Sequence, residues 1–192
     1  MQPQTYRHQL PRSTSDHDMR ITMVPLIVGL AFIVIGCRTT TVTPVSTSPA
    51  KKVDRGAAVY IVTPRDGNYG KEEYPGSGKE VATALQGAFV RYADEVIIGG
   101  ELDSTSDAIE AAKLKKCQYL VIPKITHWED RATEWSGIRD KLVIFIKVVS
   151  VEDGVEVRSV EVSGKSSWFT FGGDHPQDLL GSPIQQFVKT LF

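Results

Sequence analysis

Ala58-Val59-Tyr60-Ile61-Val62 decides the fold class. It is an unbroken apolar, β-rich run with Gly56 before it and Pro64 after it, the mark of a short strand buried on both faces. A strand of that kind needs helices on both sides of its sheet, and the following residues supply them. Ser77 and Glu80 have the spacing of a capping box. Beyond them Val81, Leu85, Phe89 and Tyr92 share one helical face. Glu95–Ile98 reads as a second apolar strand, closed by Gly99-Gly100. Ser104 or Ser106 can cap an Ala-rich second helix whose apolar contacts are Ile109 and Ala112. Tyr119-Leu120-Val121-Ile122-Pro123 is a third strand. This alternation predicts βαβαβ with parallel central strands and right-handed crossovers.

After Pro123 the pattern changes. Leu142–Val151 is a long β-branched run, Glu152-Asp153-Gly154 reads as a turn, and Val155–Val162 alternates apolar with polar, as in an antiparallel hairpin with one wetted face. Trp168-Phe169-Thr170-Phe171 extends the second strand or forms one of its own. Ser182-Pro183 has the form of N-cap and first position of a last helix, with Ile184, Phe187, Val188 and Leu191 turned inward. The expected architecture is a single α/β domain over residues 57–192: βαβαβ with a mixed sheet, then an antiparallel β-hairpin and a C-terminal helix.

Upstream, Met19-Arg20 is a short positive start, Val24–Ile35 is almost wholly apolar, and the run ends Gly36-Cys37. That order is the layout of a secretory signal over residues 19–36. The run falls short of the roughly 20 residues that a membrane-spanning helix needs. The polar residues 1–18 are not part of such a signal and read as a mis-assigned leader, with Met19 or Met23 as alternative starts to Met1. Residues 37–56 are rich in Thr, Ser and Pro (Thr43-Pro44, Ser48-Pro49) without apolar periodicity, which predicts a solvated tether.

Cys37, directly after Gly36, resembles the lipobox of bacterial lipoproteins. The resemblance implies a diacylglyceryl group on the thiol of Cys37, cleavage before it and acylation of the new amine. One acyl chain anchors a protein only marginally, whereas several together hold it for good. Arg38 stands where the enteric sorting rule places Asp for inner-membrane retention, so the resemblance implies the periplasmic face of an outer membrane.

Of 22 basic and 23 acidic side chains, Arg7, Arg12, Arg20, Asp16 and Asp18 precede residue 37, which leaves the remainder with two more acids than bases. Such a balance offers no electrostatic reason to expect nucleic acid. With Cys37 acylated, Cys117 has no partner for an intramolecular disulfide and is expected buried at a helix-to-strand corner.

Gly76, Gly78 and Lys79 between a strand and a helix invite comparison with a phosphate-binding loop, but Glu80 stands where Ser or Thr would hold magnesium. A turn and helix cap is the better reading, with amides that could still hold a small anion. More unusual is His127–Trp135. As a metal site it offers His127 with Glu129 or Asp130 and no second nearby His. As an acid/base pair, Glu129 and Asp130 would point to opposite sides of a strand. As structure, Trp128 and Trp135 would cover the sheet while Arg131 pairs with a carboxylate across a bulged hairpin. As an interaction surface, Trp128, Glu129, Asp130, Arg131, Glu134 and Trp135 combine the residue types that most often anchor interfaces. Asp174-His175 reads as a helix entry before Pro176. No Ser is accompanied by a nearby His and acid in a nucleophile elbow, so hydrolase chemistry has no support in the sequence; no catalytic residue, metal or cofactor is expected. The terminal Leu191-Phe192 reads as core packing, because a membrane barrel would need repeated long amphipathic strands.

The element order resembles the α/β domains of envelope lipoproteins such as the penicillin-binding-protein activators and the curli secretion lipoprotein. Three segments, Tyr60–Gly70, Tyr74–Gly78 and Thr126–Gly137, are similar to a family of bacterial lipoproteins whose domain has no assigned function. That resemblance implies a location and a fold, and brings no catalytic residues. The expected function is a non-enzymatic, lipid-anchored accessory module of an envelope complex, with a membrane contact through Cys37 and an envelope protein or peptidoglycan as partner. The alternatives are a binder of a small ligand or glycan, through the same aromatics or the Asp66–Gly78 loop, and an enzyme.

Overall fold

The computed structural model describes residues 39–46, 52–130, 139–166 and 175–192. Its elements are β1 (Thr39–Pro44), β2 (Ala58–Ile61), β3 (Gly67–Tyr69), β4 (Glu72–Tyr74), α1 (Ser77–Phe89), β5 (Glu95–Ile98), α2 (Thr105–Leu114), β6 (Tyr119–Glu129), β7 (Lys141–Ser150), β8 (Glu156–Lys165) and α3 (Gly181–Leu191). A 3₁₀ turn, Pro176–Leu179, leads into α3. Six strands form one mixed sheet in the order β1-β8-β7-β6-β2-β5, and β3 and β4 form a small hairpin apart from it. β5, β2 and β6 run parallel, while β6, β7, β8 and β1 are antiparallel in turn.

Side-chain alternation along β2 shows why its sequence had to be apolar throughout. Val59 and Ile61 enter the main core with Val81, Leu85 and Phe89 of α1 and Ile184, Phe187, Val188 and Leu191 of α3. Tyr60 and Val62 point the other way, into a smaller core with Ala108 and Ala112 of α2, Cys117 and Leu120. Each fully buried aliphatic or aromatic side chain contributes about 1.5–3 kcal/mol, so the strand is held from both faces. Tyr92 lies beyond the end of α1 and stacks on Phe192, with ring centroids 5.0 Å apart.

Four local expectations are corrected. Thr39–Pro44, expected within the tether, is an edge strand paired antiparallel with β8, from Thr39↔Lys165 to Pro44↔Val160. Its run of β-branched residues favours extended backbone, and β8 would otherwise leave a bare edge. Only Val42 among them packs against the main core, so no periodicity betrayed it. Secondly, Ser77 is no N-cap. It is the first residue of α1, it donates to the Tyr74 carbonyl at 2.7 Å and accepts from the Gly67 amide at 2.8 Å, and the N-cap is Gly76. Thirdly, Asp66 already holds two of the amides expected for an anion: Gly78 N donates to Oδ1 at 2.8 Å and Gly76 N to Oδ2 at 3.0 Å. Finally, α3 begins at Gly181 with Leu180 as N-cap, so Ser182 and Pro183 lie inside its first turn, where a missing N–H costs nothing. Ser104 does cap α2, accepting from the Asp107 amide at 3.1 Å.

Candidate functional site

β2 pairs with β6 only as far as Val121, whereas β6 continues to Glu129. The β3–β4 hairpin lies beside this continuation. A Cβ on Gly67 would fall 2.5 Å from Cβ of Trp128 and 2.8 Å from Cγ2 of Ile125, so only glycine lets the two segments approach. Between Ile125 and His127 the register against β7 slips: Ile125 pairs with Ile144 and His127 with Val143, leaving Thr126 as a bulge residue. Its hydroxyl donates to the Val143 carbonyl at 3.1 Å.

The bulge sets the chemistry of the strand end. Val121 and Ile125 face the main core, and strict alternation would send His127 inward next. One extra residue reverses the phase, so Trp128 turns into the core and is 2% exposed. Trp128 is therefore a core residue and not a contact side chain, a correction to the expected interaction surface. His127 is turned to the other face instead. There Nε2 of His127 lies 3.1 Å from Oε2 of the buried Glu129, and Tyr69 meets the imidazole edge-on with centroids 5.2 Å apart.

Asp130 continues past the strand and meets His175, whose Nδ1 is 3.2 Å from Oδ2. His175 also opens the 3₁₀ turn, and its amide donates to Asp178 Oδ2 at 3.1 Å. Tyr74 of the hairpin donates to the Asp130 carbonyl at 3.4 Å. Burial first, then the nearby Glu72, Asp130 and Glu129 charges, push the Tyr74 phenol above its ordinary value, against the lowering effect of that hydrogen bond. Glu80 is likewise raised, by desolvation and then by the Asp130, Asp178 and Asp66 carboxylates, with His175 opposing. Three elements distant in sequence thus converge on Asp130: the hairpin, the start of α1 and the turn before α3. Arg131, Glu134 and Trp135 of the expected contact surface lie outside the described residues, as do Cys37, Asp174 and Trp168–Phe171.

A second feature lies on the sheet face that carries His127. Thr39, Thr41, His127, Lys141, Ser163 and Lys165 line an open groove of about 430 Å³. Sequence reasoning missed it, since Lys141 and Lys165 become neighbours only through the β7–β8 register, and Thr39 joins them only because β1 pairs with β8. Among the described residues no group of three or more His, Cys, Asp or Glu side chains is placed to hold a metal ion, and no buried polar side-chain atom lacks a hydrogen-bond partner. No helix among them is long and apolar enough to cross a membrane.

The fold is shared with known structures. The PelC dodecamer from Paraburkholderia phytofirmans matches with a TM-score of 0.56 at 18% identity, covering 80% of this chain and 97% of that one. A second structure of PelC, a point variant, matches with a TM-score of 0.56 at 17% identity over 79% of this chain and 98% of that one. Lipoprotein GNA1162 from Neisseria meningitidis is similar at a TM-score of 0.45 and 12% identity, over 70% of this chain and 97% of that one. By sequence, none of the curated proteins compared with the chain matches it. The model of the domain of unknown function DUF4823 matches residues 51–191, and the chain belongs to that family.

Proposed function

We propose that the protein is a lipid-anchored, non-enzymatic accessory module of a bacterial envelope complex, held through Cys37 at the periplasmic face of the outer membrane. The contact surface in this reading is the segment that follows β6, with Asp130, Arg131, Glu134 and Trp135. One observation carries it. The two described histidines of the domain, His127 and His175, are each held by a separate carboxylate, Glu129 at the end of β6 and Asp130 just past it. Titratable groups arranged in this way fix a platform where the hairpin, α1 and the 3₁₀ turn meet, and they do not converge on a common reacting point. The lipobox resemblance supports the anchor, and the shared fold with PelC, a protein that forms a dodecamer, supports a role in assembly.

Crosslinked purification of the protein from intact cells tests this. A defined envelope protein should be recovered with the wild type and lost with Trp135→Ala, while the thermal melt of that variant stays unchanged. Equal recovery from both, or no specific protein at all, removes the reading. Retention on purified peptidoglycan with no protein partner would shift it to glycan binding. Trp128→Ala is unsuitable here, because emptying a core site of that size costs about 3–5 kcal/mol.

A further inference from the structure

We infer that the corner of the sheet built by Thr39, Lys141 and Lys165 is a membrane-docking face, seated on the anionic headgroups of the leaflet that holds Cys37. The inference rests on lipidation at Cys37 and adds to it where, and which way up, the domain sits. Its first support is chain length. Cys37 precedes Thr39 by two residues, and two residues span at most about 7 Å. Thr39 is already committed to the sheet, paired with Lys165, which in turn pairs with Lys141. An anchor on Cys37 therefore brings this corner to the bilayer surface. Thr39–Pro44, expected to help hold the domain clear of the lipid, is paired with β8 instead.

Charge is the second support. Neither the Lys141 nor the Lys165 ammonium group has a hydrogen bond or ion pair with another described residue, and both side chains line the groove beside the hydroxyls of Thr39, Thr41 and Ser163. Among the described residues, carboxylates on the same face do not cancel them. Glu129, opposite Lys141 in the register, is buried and bonded to His127. Glu161 lies on β8 four residues from Lys165, which places it about 13 Å along the strand from the corner. Ammonium groups flanked by hydroxyl donors match phosphate oxygens, and each lysine near an anionic surface strengthens attachment roughly fivefold.

The test measures acetylation of individual lysines by mass spectrometry. The chain from Cys37 onward, whose described residues form one compact unit, is coupled through Cys37 to a maleimide lipid in vesicles. Cys117 is 4% exposed and will not compete. On vesicles containing phosphatidylglycerol, Lys141 and Lys165 should react at least fivefold more slowly than on pure phosphatidylcholine. Lys113 and Lys116, at the opposite end of β6, should not change, and high salt should restore reactivity. Unchanged rates at Lys141 and Lys165, or equal slowing of all four lysines, would overturn the docking face. A soluble Cys37→Ser form gives a second readout: Lys141→Gln with Lys165→Gln should weaken its sedimentation with phosphatidylglycerol vesicles about thirtyfold, and unchanged sedimentation would also overturn it. Intact mass of the protein from cells separates the two levels. Unmodified Cys37 removes the anchor and the docking with it, whereas acylated Cys37 with unprotected lysines removes the docking alone.

Discussion

Asp66 does at a single residue what the spacing of Ser77 and Glu80 predicts for that pair. One carboxylate takes the amides of Gly76 and Gly78, so it both caps α1 and ties down the start of the hairpin. Asp66→Ala should cost about 1–2 kcal/mol in urea unfolding, the range of a lost cap, and Asp66→Asn should cost less because one acceptor remains. Gly67 is constrained differently, by the absence of a side chain. Adding a methyl group against Trp128 and Ile125 forces the hairpin off β6, and Gly67→Ala should destabilise by about 1–3 kcal/mol. Neither role could be read from the sequence. Local patterns reveal which residues can cap, but Asp66 reaches its helix from ten residues upstream of Gly76, across a hairpin whose closure depends on Trp128. Trp128 in turn faces inward only because of the bulge at Thr126, and a one-residue slip in pairing leaves no mark on composition.

Elements were more legible than residues. The apolar runs at Ala58, Glu95 and Tyr119 became the parallel strands, and the inward faces of α1 and α3 were those that the 3.6-residue period indicated. Periodicity survives because it reports burial directly, whereas helix ends depend on a few hydrogen bonds that several residue types can supply. The end of α2 illustrates this. Lys116 N donates to the Lys113 carbonyl at 2.9 Å and Cys117 N to that of Ala112 at 3.0 Å, the paired bonds of a Schellman ending. Glycine usually occupies the left-handed position there, but here Lys116 does, at φ 57°. Lys116→Gly should therefore raise stability by up to about 1 kcal/mol, read as a higher midpoint in urea. β1 is the counterpart: four threonines, Val42 and Pro44, whose strand character lies in β-branching and an available edge. Deleting residues 38–46 strips the outer edge of β8 and should cost at least about 2 kcal/mol in lost ladder bonds. Size-exclusion chromatography should also show self-association through the bared strand.

Among the described residues, three groups besides Glu80 are shifted in the same direction. The Cys117 thiol is raised by burial and then by Glu95, with Lys115 opposing. The Tyr119 phenol is raised by burial and by the bond it donates to Asp54, and Tyr74 by burial near the Asp130 cluster. All three hold their protons more tightly when folded than when unfolded. The stability this contributes is complete below the ordinary values of 9.0 for the thiol and 10.0 for the phenols, and is lost as pH rises through them toward the folded values. Thermal melts should thus fall between pH 8 and pH 11 more steeply than in a Cys117→Ala, Tyr119→Phe variant; parallel curves would show that these groups carry no linkage.

The pairing of β1 with β8 also sets an order in time. Ser46 and Ser159, which bond to each other just past the end of β1, are 113 residues apart, so the opening segment of the domain has no mate until nearly the whole polypeptide is present. A chain that emerges amino end first must carry those threonines and Val42 unpaired while everything inward of them assembles. Closing so long a loop is slow, which makes the first strand to appear the last to find its place.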